Sequence, residues 1–247
     1  MTRSRVLFSL VGMALVFVVL SPANAGPRAV IELFTSQGCS SCPAADELLA
    51  KFRADPSLIA LSLPVDYWDY LGWKDTLAIP SHTMRQRAYS QMRGDREIYT
   101  PQVVVNGIAQ AIGSDQAGIE NAVGQSRNYP SSVSVPLQVS VADERVSVML
   151  PARKHADAGG GEVWLCALSG SVPVGIARGE NRGRTITYTN VVRRWIKLGN
   201  WNGKSENFTV PVDAIKSDGV DAVAVLLQSG SFERPGTIMG ASLASLN

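Results

Sequence analysis

A short β-branched run, RAVIELF (28–34), leads through a loop into Cys39-Ser40-Ser41-Cys42-Pro43. A helical pattern, PAADELLAKFRA, follows, with Leu48, Leu49 and Phe52 on one face, and LIALSLPV (58–65) then reads as a fully buried strand. Strand, helix and buried strand make a βαβ unit, which demands a parallel pairing and a right-handed crossover. Pro43 suits a first helical turn, where its missing N–H costs nothing. The two thiols therefore stand at the N-terminal end of the first helix.

Two thiols that close can form a disulfide, hold a metal or exchange electrons. The chain has 3 cysteines, Cys39, Cys42 and Cys166, fewer than a structural disulfide framework normally uses. A disulfide closing so small a loop restricts the unfolded chain little. A four-ligand zinc site would need two further ligands, and only His82, His155, Cys166 and carboxylates are on offer, with no paired spacing. A two-thiolate copper(I) site stays open, because soft thiolates suit that ion. Dithiol exchange is the leading expectation; a non-enzymatic copper(I)-binding or delivery module is the alternative. No cofactor is expected.

The first residues set the expected address. Arg3 and Arg5 precede an apolar run from Val6 to Leu20, and Ala23-Asn24-Ala25 supplies a small-x-small cleavage pattern. The run is shorter than the ~20 residues of a spanning helix. Residues 1–25 are expected to be a signal peptide cleaved near Ala25, giving a periplasmic or secreted chain without stable membrane insertion. Its loss leaves 21 basic and 21 acidic residues, so no footprint for nucleic acid remains.

Beyond the βαβ unit come DYWDYLGW (66–73) and a helical pattern over SHTMRQRAYSQMR, with Ser81 as its cap and Met84, Ala88 and Met92 facing inwards. QVVV and IAQAI flank Asn106-Gly107, a strong hairpin signal. SDQAGIENAVGQS closes as a helix capped at Ser114 or Asp115. After the linker-like RNYPSS (127–132), six β-patterned segments with Gly- and Asn-bearing turns read as a small antiparallel β-sandwich. The expected division is a first domain over 26–128 and a sandwich over 133–247.

The order β-α-β-α-β-β-α, with Cys39 and Cys42 opening the first helix and Pro101 just before the hairpin, resembles the thioredoxin fold. The resemblance implies a cis bond before Pro101, lying against the dithiol, with Thr100 and its neighbours lining a groove for a substrate strand. VIELFTSQGCSSCPAAD, VDYWDYLGWKD, YTPQVVVNG, ARGENRGRTITYTNVV and LGNW are together similar to an exported, thioredoxin-like family of unknown function from Gram-negative bacteria. The fold class expected is thus α/β, a mixed thioredoxin-like sheet flanked by helices, followed by the sandwich.

In this frame Cys39 should be the nucleophile at the mouth of the helix, where the dipole favours thiolate, and Cys42 the more shielded resolving thiol. Glu32 is expected as a buried carboxylate near Cys42 that relays a proton, or otherwise as a strand-edge glutamate in water. Tyr67 and Trp68 are expected either as a recognition platform or as packing of a long connection. Arg178, Glu180 and Arg182 read as a polar turn, or as an ion-pair network or lip over Cys39. His82 and His155 read as surface residues, and Cys166 as a small buried hydrophobe. Expected partners are protein disulfides or dithiols and a membrane-bound electron donor or acceptor.

Overall fold

Ala29–Thr35 is buried at every position and forms the strand β1 around which the molecule is built. In the computed structural model, which describes residues 26–153 and 159–246, the first half runs α1 (Cys42–Arg53), β2 (Leu58–Pro64), a single 3-10 turn (Asp69–Leu71), α2 (Pro80–Arg93), β3 (Gln102–Val105), β4 (Ala109–Ile112) and α3 (Gln116–Ser126). The expected signal segment and His155 lie outside the described residues. β1 pairs parallel with β2 and antiparallel with β3, which pairs antiparallel with β4. The order β2-β1-β3-β4 is that of the thioredoxin-like fold.

Alternation along β1 decides which helix covers which face. Ala29, Ile31 and Leu33 pack with Ala45, Leu48, Leu49 and Phe52 of α1 and with Ile119, Ala122 and Val123 of α3. Val30 and Phe34 point the other way, towards Tyr89 of α2. The three large apolar residues expected on α1 are the ones it buries, each contributing roughly 1.5–3 kcal/mol.

The second half contributes β5 (Gln138–Ala142), β6 (Arg145–Leu150), β7 (Gly161–Gly175), β8 (Thr185–Trp201), β9 (Glu206–Pro211), β10 (Ala222–Ser231) and β11 (Arg234–Ser245). β5-β6-β9 form a separate antiparallel sheet. The remaining four strands continue the first sheet, giving the order β11-β10-β7-β8-β2-β1-β3-β4. The sandwich therefore borrows one of its layers from an eight-stranded sheet shared with the thioredoxin-like half. Its interior is filled by Val146, Val148 and Leu150 against Val163, Leu165, Val225 and Leu227.

The two halves join at β2 and β8, where Ser62 and Val191 are the paired residues. Asn190 sits beside that point at φ 46°, and its side-chain amide donates to the Ala60 carbonyl at 2.9 Å. Asparagine tolerates the left-handed region better than most residues, and here its side chain supplies the bond the bent backbone forgoes. A second seam lies at the β3–β4 turn. There a Cβ on Gly107 (φ 72°) would meet the Gly236 carbonyl oxygen at 2.3 Å. Only glycine lets the C-terminal half come so close.

Three local expectations need correction, and one is narrowed to one of its two alternatives. α2 starts at Pro80, with Ile79 rather than Ser81 preceding it. Ala88 is buried as expected, but most of the buried face is polar, with His82, Arg85, Gln86 and Tyr89, while Met84 and Met92 are exposed. Polar residues line that face because each finds a partner beneath it: Arg85 and Tyr89 at Glu32, Gln86 at Gln102 and the Tyr99 carbonyl, and His82 at the Pro64 carbonyl. α3 is capped by Asp115, whose carboxylate accepts from the Gly118 N–H at 3.0 Å. The segment RPGTIMGASLAS, absent from the expected strands, forms β11.

Candidate functional site around the Cys39–Cys42 pair

The chain leaves β1 at Thr35 and turns twice before α1 begins. The Cys39 N–H donates to the Ser36 carbonyl and the Cys42 N–H to the Cys39 carbonyl, both at 3.2 Å. This winding places the two Cα atoms 5.4 Å apart, and Cys39 and Cys42 are joined as a disulfide. Ser41 precedes the helix without capping it through its side chain. Its hydroxyl lies 3.3 Å from Cys39 Sγ instead, where it can donate to a thiolate.

Opposite the pair stands the segment before β3. The Thr100–Pro101 bond is cis, as the resemblance implied. Cys39 Sγ is 3.7 Å from the Thr100 carbonyl oxygen, within reach of an S–H donor in the reduced form. Trp68 donates from its indole N–H to Thr100 Oγ1 at 2.8 Å, so this tryptophan braces the segment rather than standing free as a platform. Tyr67 lies beside it, and burial pushes its phenol up to about 12. Gly113 closes the arrangement from behind. Its N–H donates to the Pro101 carbonyl, and a Cβ there would strike Leu33, Pro101 and Ala45.

The exposure of the sulfurs differs from expectation. Cys42 is fully buried, as foreseen, but Cys39 shows only 2% of its surface. The turn between β7 and β8 (176–184) borders this site from the other half of the chain. Asn181, itself buried, donates to the carbonyls of Gln37 at 3.0 Å and Cys39 at 2.8 Å. Glu180 accepts from the Ser40 N–H at 3.1 Å. The segment is thus a clamp on the backbone around Cys39. Among the described residues no ion pair joins Arg178, Glu180 and Arg182, so the clamp works through hydrogen bonds to backbone.

Glu32 is buried, but not beside Cys42. Its carboxylate accepts from Arg85 Nε at 2.6 Å, from Arg85 Nη2 at 3.2 Å and from the Tyr89 hydroxyl at 2.6 Å. It shares the face of β1 taken by Val30 and Phe34, opposite to the α1 face. Gln228 of β10 accepts from Arg85 at 2.9 Å and donates to the Tyr89 hydroxyl at 2.9 Å. Trp195, Phe232 and Tyr89 stack around the guanidinium. Burial works against the Arg85 charge, but Glu32 outweighs it and the guanidinium is held more firmly protonated. The expected relay to Cys42 is therefore corrected: Glu32 belongs to a structural hub.

Another carboxyl does lie on the dithiol's helix. Asp46 follows Cys42 by four residues, which puts both on one helix face. It is 2% exposed; Thr35 donates to one oxygen at 3.2 Å, and the other has no protein partner. Burial raises its pKa well above the usual carboxylate range, with repulsion from Asp75 and Glu47 adding to it and the Thr35 bond opposing. Asp75 accepts from the Gln37 N–H at 2.8 Å, and burial raises it too. Tyr188 of β8 is buried, its hydroxyl unpartnered, and its pKa is raised by burial with repulsion from Asp46 and Asp75. The i, i+4 spacing could have revealed Asp46 from sequence; nothing local could have revealed Asn181.

The remaining thiol and histidine are structural. Cys166 is free and fully buried, and burial pushes its thiol up. His82 is buried rather than on the surface: Nδ1 contacts the Pro64 carbonyl at 2.9 Å, and burial lowers it to about 3. Among the described residues no three His, Cys, Asp or Glu side chains group as metal ligands, and no helix is long and apolar enough to cross a membrane.

A family model described as a protein of unknown function (DUF1223) matches residues 30–228. The chain belongs to the DUF1223 family. A crystal structure of an Agrobacterium tumefaciens protein, a structural-genomics target, is 31% identical, with 90% of this chain and 96% of that one covered and a TM-score of 0.79. HBP35 of Porphyromonas gingivalis is 12% identical over 90% of this chain and 76% of its own, with a TM-score of 0.61, which speaks to the fold alone. No curated protein matches. This DUF1223 chain thus has a family and a fold from its relatives, and its chemistry must come from its own residues.

Proposed function

We propose that this DUF1223 protein is an exported thiol–disulfide oxidoreductase that exchanges electrons with protein disulfides through Cys39 and Cys42. What supports it above all is the joining of those two cysteines at the start of α1 with the Thr100 carbonyl and cis Pro101 facing them.

In the reducing direction the Cys39 thiolate attacks a substrate disulfide. A bond forms between Cys39 Sγ and one substrate sulfur, and the other leaves as thiolate. Cys42 loses its proton and attacks Cys39 Sγ; the second substrate sulfur departs, and the intramolecular disulfide remains. Two electrons have passed to the substrate. A thiol-bearing, membrane-bound partner must return them, and the reverse sequence oxidises a substrate dithiol. Asp46, in place of Glu32, is the carboxyl assigned to accept the Cys42 proton. It is the buried acid on the same helix face, and its raised pKa matches proton transfer near neutrality better than an ordinary carboxylate.

Because Cys39 is nearly covered, a substrate must displace its surroundings to reach the sulfur. The clamp at 180–181 is the part contributed by the other half of the chain. The first 25 residues supply the export step, and the mature protein should begin at Gly26.

The test is turnover of a model disulfide such as insulin by the reduced protein, and of a model dithiol by the oxidised one. Activity in either direction that disappears in Cys39→Ser is the expected result. No turnover either way, together with stoichiometric copper(I) uptake by the reduced dithiol, would move the assignment to a copper-binding module.

A further inference from the structure

The N-terminal end of α1 has no acid of its own in its first turn. The carboxylate beside it comes from 140 positions away in the chain: Glu180 Oε2 accepts from the Ser40 N–H. Its neighbour Asn181 holds the carbonyls on either side of Gly38. Three backbone groups within residues 37–40 are therefore gripped by one dipeptide. The amide of Asn181 brings no charge, and its burial fixes the turn in place. Glu180 then presents a negative charge at the helix end where a Cys39 thiolate would form. Two anions competing for one positive helix end repel each other, and the fixed one disfavours the one that forms.

Resting on the exchange reading above, we propose that Glu180 is a positioning residue that sets the redox poise of the dithiol, holding Cys39 towards its protonated form and the pair towards the reducing side. The C-terminal half is in this way part of the redox site rather than an attached binding module. A less stable thiolate makes the reduced state less favourable, so the pair gives up electrons more readily.

Other titratable groups lie around the site. Asp46 is on α1, Asp75 accepts from the Gln37 N–H and is repelled by Asp69, Tyr188 of β8 feels the charges of Asp46 and Asp75, and Tyr67 stands beside Thr100. On the clamp itself, Arg178 and Arg182 are exposed, and Arg184 bonds to Asn181 Oδ1 at 3.3 Å. These are common to every variant compared below, and only the charge at residue 180 changes.

The probe is the full chain carrying Cys42→Ser, so that Cys39 alone reacts, Cys166 being buried. The rate of iodoacetamide alkylation against pH reports the thiolate. At low ionic strength the expected order of thiolate stability is Glu180 lowest, Glu180→Gln higher and Glu180→Lys highest. The first step should be about two- to fivefold in the ionisation constant. Glu180→Asp should stay near the parent. The differences should shrink in roughly 0.5 M salt, because the charge is exposed. With both cysteines present, the equilibrium of protein disulfide plus two glutathione against dithiol plus glutathione disulfide should shift by the same factor, towards the dithiol in Glu180→Gln.

A glutamine keeps the hydrogen bond to Ser40 and loses only the charge. Equal titrations for Glu180 and Glu180→Gln, or the reverse order, overturn the proposal. Failure of the pair to equilibrate with glutathione would instead count against the exchange reading, while the alkylation profile would still decide the role of Glu180.

Discussion

Two buried carboxyls lie on opposite sides of β1 and are treated in opposite ways. Glu32 meets a guanidinium, a phenol and, through them, a glutamine from the other half of the chain. Asp46 meets one hydroxyl and has an oxygen left over. A buried charge costs several kcal/mol unless paired, so Glu32 has its ion-pair partner while burial pushes the unpaired Asp46 towards its protonated form. The difference separates architecture from chemistry. The Glu32 hub ties α2 to β10 and to Trp195 of β8, whereas Asp46 lies one turn along α1 from Cys42 with its proton held more tightly than in water.

The largest expected effect is at the hub. Arg85→Met leaves Glu32 buried without its cation and should cost about 3–5 kcal/mol in urea unfolding. Glu32→Gln should destabilise in the same direction yet leave the Cys39 alkylation profile unchanged in whatever fraction folds. A changed profile would place Glu32 in the chemistry after all.

Asp46→Asn should behave in the opposite sense. A carboxyl raised in the folded state contributes stability below its unfolded pKa, about 3.9, and loses it as pH climbs through the folded value. Parent and variant should therefore be alike in acid, and the variant should be the more stable at neutral pH by about 1 kcal/mol or more. The same variant should release mixed disulfides at least about tenfold more slowly at neutral pH, as loss of a proton acceptor requires. Stability that diverges in acid and converges at neutral pH would invert the assignment.

Much of this was legible beforehand. The strand–helix–strand pattern, the dithiol at the helix start and the Asn106-Gly107 turn are local signals, and the structure reproduces all three. The polar face of α2 was not legible, because Arg85 and Tyr89 look solvent-bound until Glu32 and Gln228 are brought from 53 and 143 positions away. β11 was missed because Pro235, Gly236 and Gly240 look like turn residues. In place they allow close approach: a Cβ on Gly240 would come within 2.7 Å of the Val135 carbonyl oxygen. The site divides the same way. Cys39, Cys42 and Pro101 were readable from spacing and likeness, and the turn at 178–182 as a lip over Cys39, but the bonds from Glu180 and Asn181 came only with the topology that sets β8 alongside β2.

Smaller effects mark the limits of the comparison. Asn181→Ala frees two carbonyls near Cys39 and should cost about 1–3 kcal/mol while speeding alkylation of the reduced Cys39. Unchanged alkylation would mean that Asn181 does not restrict access. The exposed Arg28–Asp55 pair is the baseline for charge in water, and Arg28→Gln should shift stability by less than about 1 kcal/mol.

The exchange role is tested most directly by trapping. A Cys42→Ser chain mixed with an extract of the periplasm, the compartment proposed for it, should accumulate disulfide-linked adducts that vanish on reduction and map to Cys39. An extract that yields no adduct at Cys39, with the thiol shown to be free and the chain folded, would contradict the account.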